Sequence, residues 1–376
     1  MAEPFKNNIH PELIESMSVQ FARHFPGFER ERFVSIACDQ IEQRELKDRC
    51  MQIVVAMEAT LPEDFEVAAR GIGASLGPPL DAEVNGGEVE GITGWAVMAL
   101  QEYVGRNGLD HLEVSLDLLK AMTSRLTSEF GIRPFLDAFP LQTLRILQRW
   151  VKDPSPHVRR LVSEGARPRL PWGLQLKRFI ADPSPMLPFL ESLKDDPSEY
   201  VRRSVANHLN DIAKDHPELV CRIAERWWVD ADIQRQRLIR HALRTLVKKG
   251  NARALAVLGF HPAKIEMTAI RVEPNPVSMG QKLRFETTIQ SIAAVSQRLV
   301  IDYAIHYVKA NGERRAKVFK GTTCELEPGG VVSFQRSHSF APVTTRTYYS
   351  GEHLLEILVN GKSEGCQSFT LIEAAD

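Results

Sequence analysis

The chain has 376 residues, 43% hydrophobic and 25% charged, with a formal net charge of −1. A chain this long needs more than one core, and it has neither an eighteen-residue apolar run nor a basic-then-apolar leader, which argues against a membrane-spanning or secreted protein. A cytoplasmic, monomeric protein is expected. From 11 to 61, Leu13, Met17, Phe21, Phe33, Ile36, Ile41, Met51 and Val54 recur at helical spacing, with a break at Pro26-Gly27. The stretch 71–94, GIGASLGPPLDAEVNGGEVEGITG, is rich in glycine and proline and predicts mostly loop. Its GxGxxxG lacks the following GK[ST] of a phosphate loop, so no nucleotide site is assigned there. Trp95, Met98 and Leu100 open the next helix, Leu112 to Leu126 form a further apolar stripe, and Pro134 stops or restarts it.

Two octets then repeat 43 residues apart, DPSPHVRR from Asp153 and DPSEYVRR from Asp196. A turn-plus-helix start at this period predicts a helical solenoid. Asp or Ser is placed to cap each helix, and Val begins a buried stripe ahead of two arginines. In the second copy Val201, Val205, Leu209 and Ile212 share one face, so Arg202, Arg203, Asn207 and Asp211 are predicted to turn away from it. RPRLPWG breaks the first copy, DPSP at 182 forms another turn, and a less regular helix pair that includes ADIQRQRLIRHALRTLVKKG closes the array.

After His261-Pro262 the period drops to two. KIEMTAIRV, KLRFETTIQ, RLVIDYAIHYVK, AKVFKGTTCEL, VVSFQRSHSF and HLLEILVNG alternate apolar and polar residues between turns. The prediction is an all-α HEAT-like solenoid over 1–261 followed by an all-β, antiparallel immunoglobulin-like sandwich over 262–376. Cys38, Cys50, Cys221, Cys324 and Cys366 contain no CxxC pair and predict free thiols, with a Cys324–Cys366 bridge across a sheet as the minor alternative.

Charge is polarised along the chain: residues 1–144 carry a net −11, 145–254 a net +9 and 255–376 a net +1. The positive potential gathers on the repeats, as a surface that meets a polyanion requires. No HExxH, GxSxG or Cys–His nucleophile pattern occurs, and the histidines lack ligand spacing, so neither metal nor cofactor is expected. The distinctive chemistry is acidic: Glu164 sits among Arg159, Arg160, Arg167 and Arg169, with Trp172 eight residues on.

RLTSEFGIRPFL, DPSPHVRRLVSEGARPRLPW and DPSEYVRRSVANHLNDIAKDHPELV resemble the HEAT-like DNA alkylation repair glycosylases, the AlkC type above all. The resemblance covers the helical region to about residue 260, and that type can carry an immunoglobulin-like domain after the repeats. It implies a monofunctional hydrolase of N-glycosidic bonds that acts on cationic alkylated bases, 3-methyladenine and 3-methylcytosine, in double-stranded DNA. Carried over by motif, the site would comprise Asp211 as water activator, Glu164 as its helper or as the sugar-cation ligand, Trp172 against the nucleotide, and Glu129. For Glu129 an ion pair with Arg133 or Arg160 is an equal alternative. Arg160, Arg167, Arg169, Arg202 and Arg203 would grip phosphates, and Lys282, Arg284, Arg298, Arg314, Arg315 and Lys317 are candidate contacts from the sandwich. The competing class is a catalytically silent scaffold, which has no reason to place carboxylates on a basic face.

Overall fold

The computed structural model describes residues 4–80, 90–343 and 346–373; the part of the glycine-rich stretch at 81–89 lies outside them. The described chain forms two compact units, 1–215 and 216–376.

The first unit is all helical: α1 (Pro11–His24), α2 (Arg30–Ala37), α3 (Leu46–Thr60), α4 (Phe65–Ala74), α5 (Ala96–Asn107), α6 (Leu112–Thr123), α7 (Arg133–Ala138), α8 (Pro140–Trp150), α9 (Pro156–Glu164), α10 (Lys177–Ala181), α11 (Leu187–Leu193) and α12 (Glu199–Ile212). Prolines at the starts of α1, α7, α8 and α9 sit where the missing N–H costs no helical bond. Pro134 thus restarts a helix. The loop expected over 71–94 begins later than predicted, because α4 runs through Gly71 and Gly73. A Cβ on Gly71 would fall 2.2 Å from the Phe25 ring, so the glycine serves close packing inside a helix and not a turn.

The repeated octets build the same turn twice. The Asp153 carboxylate accepts the Ser155 N–H at 2.9 Å, and the Asp196 carboxylate accepts that of Ser198 at 2.9 Å. Neither serine side chain caps its helix. The capping expected from the sequence is therefore an aspartate-anchored turn one step earlier. The first arginine of each pair then folds back onto the turn: Arg159 Nη1 donates to the carbonyls of Asp153 and Pro154, and Arg202 Nη1 to those of Asp196 and Pro197. Arg159 also makes a bidentate bond to Asp196, at 2.6 and 2.9 Å, while Lys120 of α6 reaches Asp153 at 2.7 Å. Each turn aspartate is held by a cation from the preceding helical layer, which ties successive repeats together.

The second unit joins α13 (Pro217–Trp228), α14 (Ile233–Lys248) and α15 (Ala252–Val257) to nine strands: β1 (Ile265–Met267), β2 (Arg271–Glu273), β3 (Val277–Ser278), β4 (Lys282–Ser291), β5 (Gln297–Val308), β6 (Arg314–Leu326), β7 (Val331–Ser339), β8 (Gly351–Val359) and β9 (Lys362–Ile372). The change from helix to strand falls between 257 and 265, yet the compact unit starts at 216. Close seating accounts for this: Gly250, after α14, meets Gly361 of the β8–β9 turn so tightly that a Cβ on either would lie 2.5–2.6 Å from the other's backbone. In one sheet β4 pairs with β1 and β2 along one side and with β7 along the other; the second has the order β3-β9-β8-β5-β6. Alternation buries Leu283, Phe285 and Ile289 from β4 against Ile301, Phe334 and Phe369.

The structure sharpens the reading of the sandwich at three points. KIEMTAIRV forms two short strands on the β4 edge. The sheet is not wholly antiparallel, since β3 runs parallel to β9. All five cysteines are free thiols, as expected; the minor alternative, a Cys324–Cys366 bridge, is ruled out because β8 and β5 separate the strands that carry them.

Candidate active site

Glu164 is the last residue of α9, and Asp211 lies in the last turn of α12. Arg167, in the loop after α9, joins them: its Nε donates to Asp211 Oδ2 at 2.8 Å and its Nη1 to Glu164 Oε1 at 2.6 Å. Ser204 of α12 donates to Glu164 Oε2 at 2.6 Å, and Arg160 lies 3.4 Å from Oε1. On Asp211 the second oxygen accepts Lys214 Nζ at 2.8 Å, and Lys214 is itself 41% exposed. Both carboxylates are buried, Glu164 at 4% exposure and Asp211 at 1%.

Burial opposes ionisation of Glu164. The charges of Arg160 and Arg167 and the hydrogen bonds from Ser204 and Arg167 outweigh it and hold the carboxyl below its ordinary range. Arg167 shows the reciprocal effect: burial alone would lower it, and Glu164 and Asp211 raise it. His208 fills the space behind them. Its Nδ1 meets the Ser163 carbonyl at 2.9 Å, its Nε2 has no partner, and burial takes its pKa down to about 4, so the ring is neutral near pH 7.

Glu129 pairs with Arg160 at 2.6 Å, the ion-pair alternative foreseen from the sequence, and Arg160 stacks over Tyr200 at 4.9 Å. Glu129, Glu164, Arg167 and Trp172 line one cavity of about 330 Å³ with the apolar side chains of Leu46, Trp95, Met98, Phe130 and Leu170. Trp172 is 63% exposed, and its backbone is left-handed, with φ of +64°. Its carbonyl accepts Lys47 Nζ from α3. Among the described residues no group of three or more His, Cys, Asp or Glu stands where it could hold a metal ion.

The four acidic and aromatic candidates are thus brought into one neighbourhood, Asp211 one guanidinium away from the cavity wall. Asp211 does not turn outward as the helical face predicted; it is held inward by Arg167. The five arginines divide. Arg167 is buried between two carboxylates, so it is not a free phosphate ligand, and Arg160 is engaged with Glu129 and Thr127. Arg169 makes a bidentate pair with Asp215 at 2.8 Å, and Arg202 holds its own turn. Arg203 remains largely exposed, against Glu199 at 2.5 Å. Sequence reasoning passed over Ser204 and Lys214; each lies three residues from an acid-bearing position or its repeat equivalent, a spacing that carries signal only once the helix face is known.

A family profile described as the C-terminal Ig-like domain of the uncharacterised protein YhaZ matches residues 266–373. The uncharacterised protein YhaZ of Bacillus subtilis (strain 168) is 36% identical over 97% of this chain and 98% of its own length. A solved structure of the Pseudomonas fluorescens alkylpurine DNA glycosylase AlkC, bound to DNA containing an abasic site analog, is 34% identical, with a TM-score of 0.85 over 98% of this chain and all of that one. The chain belongs to the AlkC-type DNA glycosylase family. Its all-α region followed by an Ig-like β-domain is the architecture that membership implies, and the likeness runs through both parts. No helix among the described residues is long and apolar enough to cross a membrane.

Proposed function

We propose that this AlkC-type protein is a monofunctional DNA glycosylase that hydrolyses the N-glycosidic bond of cationic alkylated bases, 3-methyladenine and 3-methylcytosine, in double-stranded DNA, and so starts base excision repair. It works as a cytoplasmic monomer. The reading is carried by a buried, ionised Glu164 on the wall of a cavity that also holds an exposed indole, with a second carboxylate one guanidinium away.

A base alkylated on a ring nitrogen is already positive and leaves as a neutral molecule, so it needs little general-acid help. Positive charge grows instead on the deoxyribose as the bond breaks. Glu164, held by buried donors on both oxygens, is a fixed anion suited to stabilise that cation. The Trp172 face adds cation–π attraction. Asp211 differs in that Lys214, the partner on Oδ1, is half exposed and exchangeable. That makes Asp211 the carboxylate to orient and deprotonate water. Glu129 acts by holding Arg160 against Glu164. Phosphates fall to Arg203 and Arg169, whose carboxylate partners Glu199 and Asp215 reach solvent, to Arg202 and to Lys214; Arg160 and Arg167 serve the carboxylates.

The test is release of free methylated base from alkylated duplex DNA by the wild type, Glu164→Gln and Asp211→Asn. Wild type should release base, and each variant should fall by about 100-fold or more while still binding DNA. Wild-type binding without release would instead establish a silent scaffold.

A further inference from the structure

Arg133, in the first turn of α7, is the largest fully buried side chain among the described residues, at 0% exposure. Its bonds go to backbone. Nε donates to the Leu174 carbonyl at 2.5 Å and Nη1 to the Gly165 carbonyl at 2.7 Å, while Nη2 is buried without a partner. Burial, and after it the nearby charge of Arg167, pushes its pKa down to about 10, against the opposing pull of Glu129, Asp211 and Glu164. A guanidinium in this position is costly, and an apolar side chain would fill the volume at less expense. What an apolar side chain could not do is hold two carbonyls nine residues apart.

Those carbonyls bound the loop 165–174, which carries Arg167, Arg169 and Trp172. Both ends of the loop are closely packed: a Cβ on Gly165 would lie 2.5 Å from Ile132, and one on Gly173 would lie 3.1 Å from Leu170 and 3.2 Å from Arg133 itself. Between the clamped ends Trp172 adopts the left-handed backbone that a bulky residue disfavours, and Lys47 of α3 holds its carbonyl from a third direction.

We infer that Arg133 is a positioning residue for Trp172, with Lys47 as the second anchor, and that together they hold the indole on the cavity wall before any nucleotide arrives. The inference rests on the glycosylase reading of this cavity, and it adds the means by which its exposed aromatic is kept in place without the packing that normally orients an indole.

Two measurements test it. In hydrogen exchange, Arg133→Met and Lys47→Met should speed the amides of 165–176 while those of α9 and α12 keep wild-type protection. In single-turnover base release, each should slow the reaction about tenfold or more, since a displacement of about 1 Å can cost 100-fold, with DNA affinity within about twofold. Arg133→Lys should recover part of the rate. Against a Trp172→Ala background, either substitution should cost less than about twofold further, because its effect runs through the indole. Losses that multiply in full, or unchanged exchange in the loop, overturn the inference. If Arg133→Met does not fold, Lys47→Met, at an exposed position, decides alone. Wild type that releases no base removes the glycosylase reading, and the exchange experiment still judges the clamp.

Discussion

The two copies of the repeat share their turns and differ in the helices that those turns begin. Arg159 and Arg202 make the same pair of bonds to their own turns. The second arginines diverge: Arg160 is enclosed between Glu129, Glu164 and Tyr200, whereas Arg203 lies exposed beside Glu199. Where the first copy places Glu164, the second places Asn207, and where the first has Leu161, the second has Ser204, the donor to Glu164. Repetition encodes the scaffold, and the carboxylate proposed for the chemistry, with its Ser204 donor, stands at positions where the copies depart from each other.

The largest consequence for stability is expected at Arg167. Its replacement by Met would leave two buried carboxylates without their common partner, costing about 3–5 kcal/mol, to be read as the shift in urea midpoint. A loss below about 1 kcal/mol would show that solvent already screens the pair.

Arg159→Ala should cost more than Arg202→Ala, by about 1–2 kcal/mol, because only Arg159 carries the added bidentate bond to Asp196. Equal losses in thermal melts would mean that the turn bonds, and not the link between repeats, supply the stability.

The acid side separates the copies again. Glu164 is held below its ordinary value of 4.5, so its contribution is complete above that value and is lost as pH falls through the lower folded value. His208, at the place of Gly165 in the first copy, is depressed from 6.5 to about 4. The unfolded chain takes up that proton first, so stability declines as pH falls from about 6.5 to 4. Melting temperature against pH should therefore flatten in the upper window for His208→Asn and in the lower one for Glu164→Gln. Parallel curves for all three proteins would contradict the assignment.

The smallest change is expected at Arg203. Its pair with Glu199 is exposed on both sides, so Arg203→Gln should alter stability by less than about 0.5 kcal/mol. If it meets phosphate, the same substitution lowers the salt dependence of DNA affinity by about one unit of slope. An unchanged slope would withdraw Arg203 from the DNA contacts.

Much of the architecture was legible in the chain. The octets marked the repeats, the switch in periodicity after 262 marked the strands, and the VSEGARPRLPW and ANHLNDIAK motifs, through the family resemblance, pointed to the carboxylates and the tryptophan proposed for the site. Roles were harder. A buried arginine that neutralises carboxylates and an exposed one look alike in sequence, and only burial distinguishes Arg167 from Arg203. Gly71 read as a loop residue because a glycine that admits a neighbouring ring and one that permits a turn are the same letter. The parallel β3–β9 pairing escaped notice because a two-residue strand has no periodicity to detect.

Local rules were enough for the turns, the helix starts and the alternation of the strands, since each depends on residues a few positions apart. The family resemblance, too, was carried by contiguous strings. Which charges neutralise each other was left to tertiary packing: Glu164 and Asp211 are 47 positions apart in the chain, and they become one electrostatic unit only because α9 and α12 bring them to a single guanidinium. Coulomb energy depends on distance and solvent exclusion, and neither can be read along the chain.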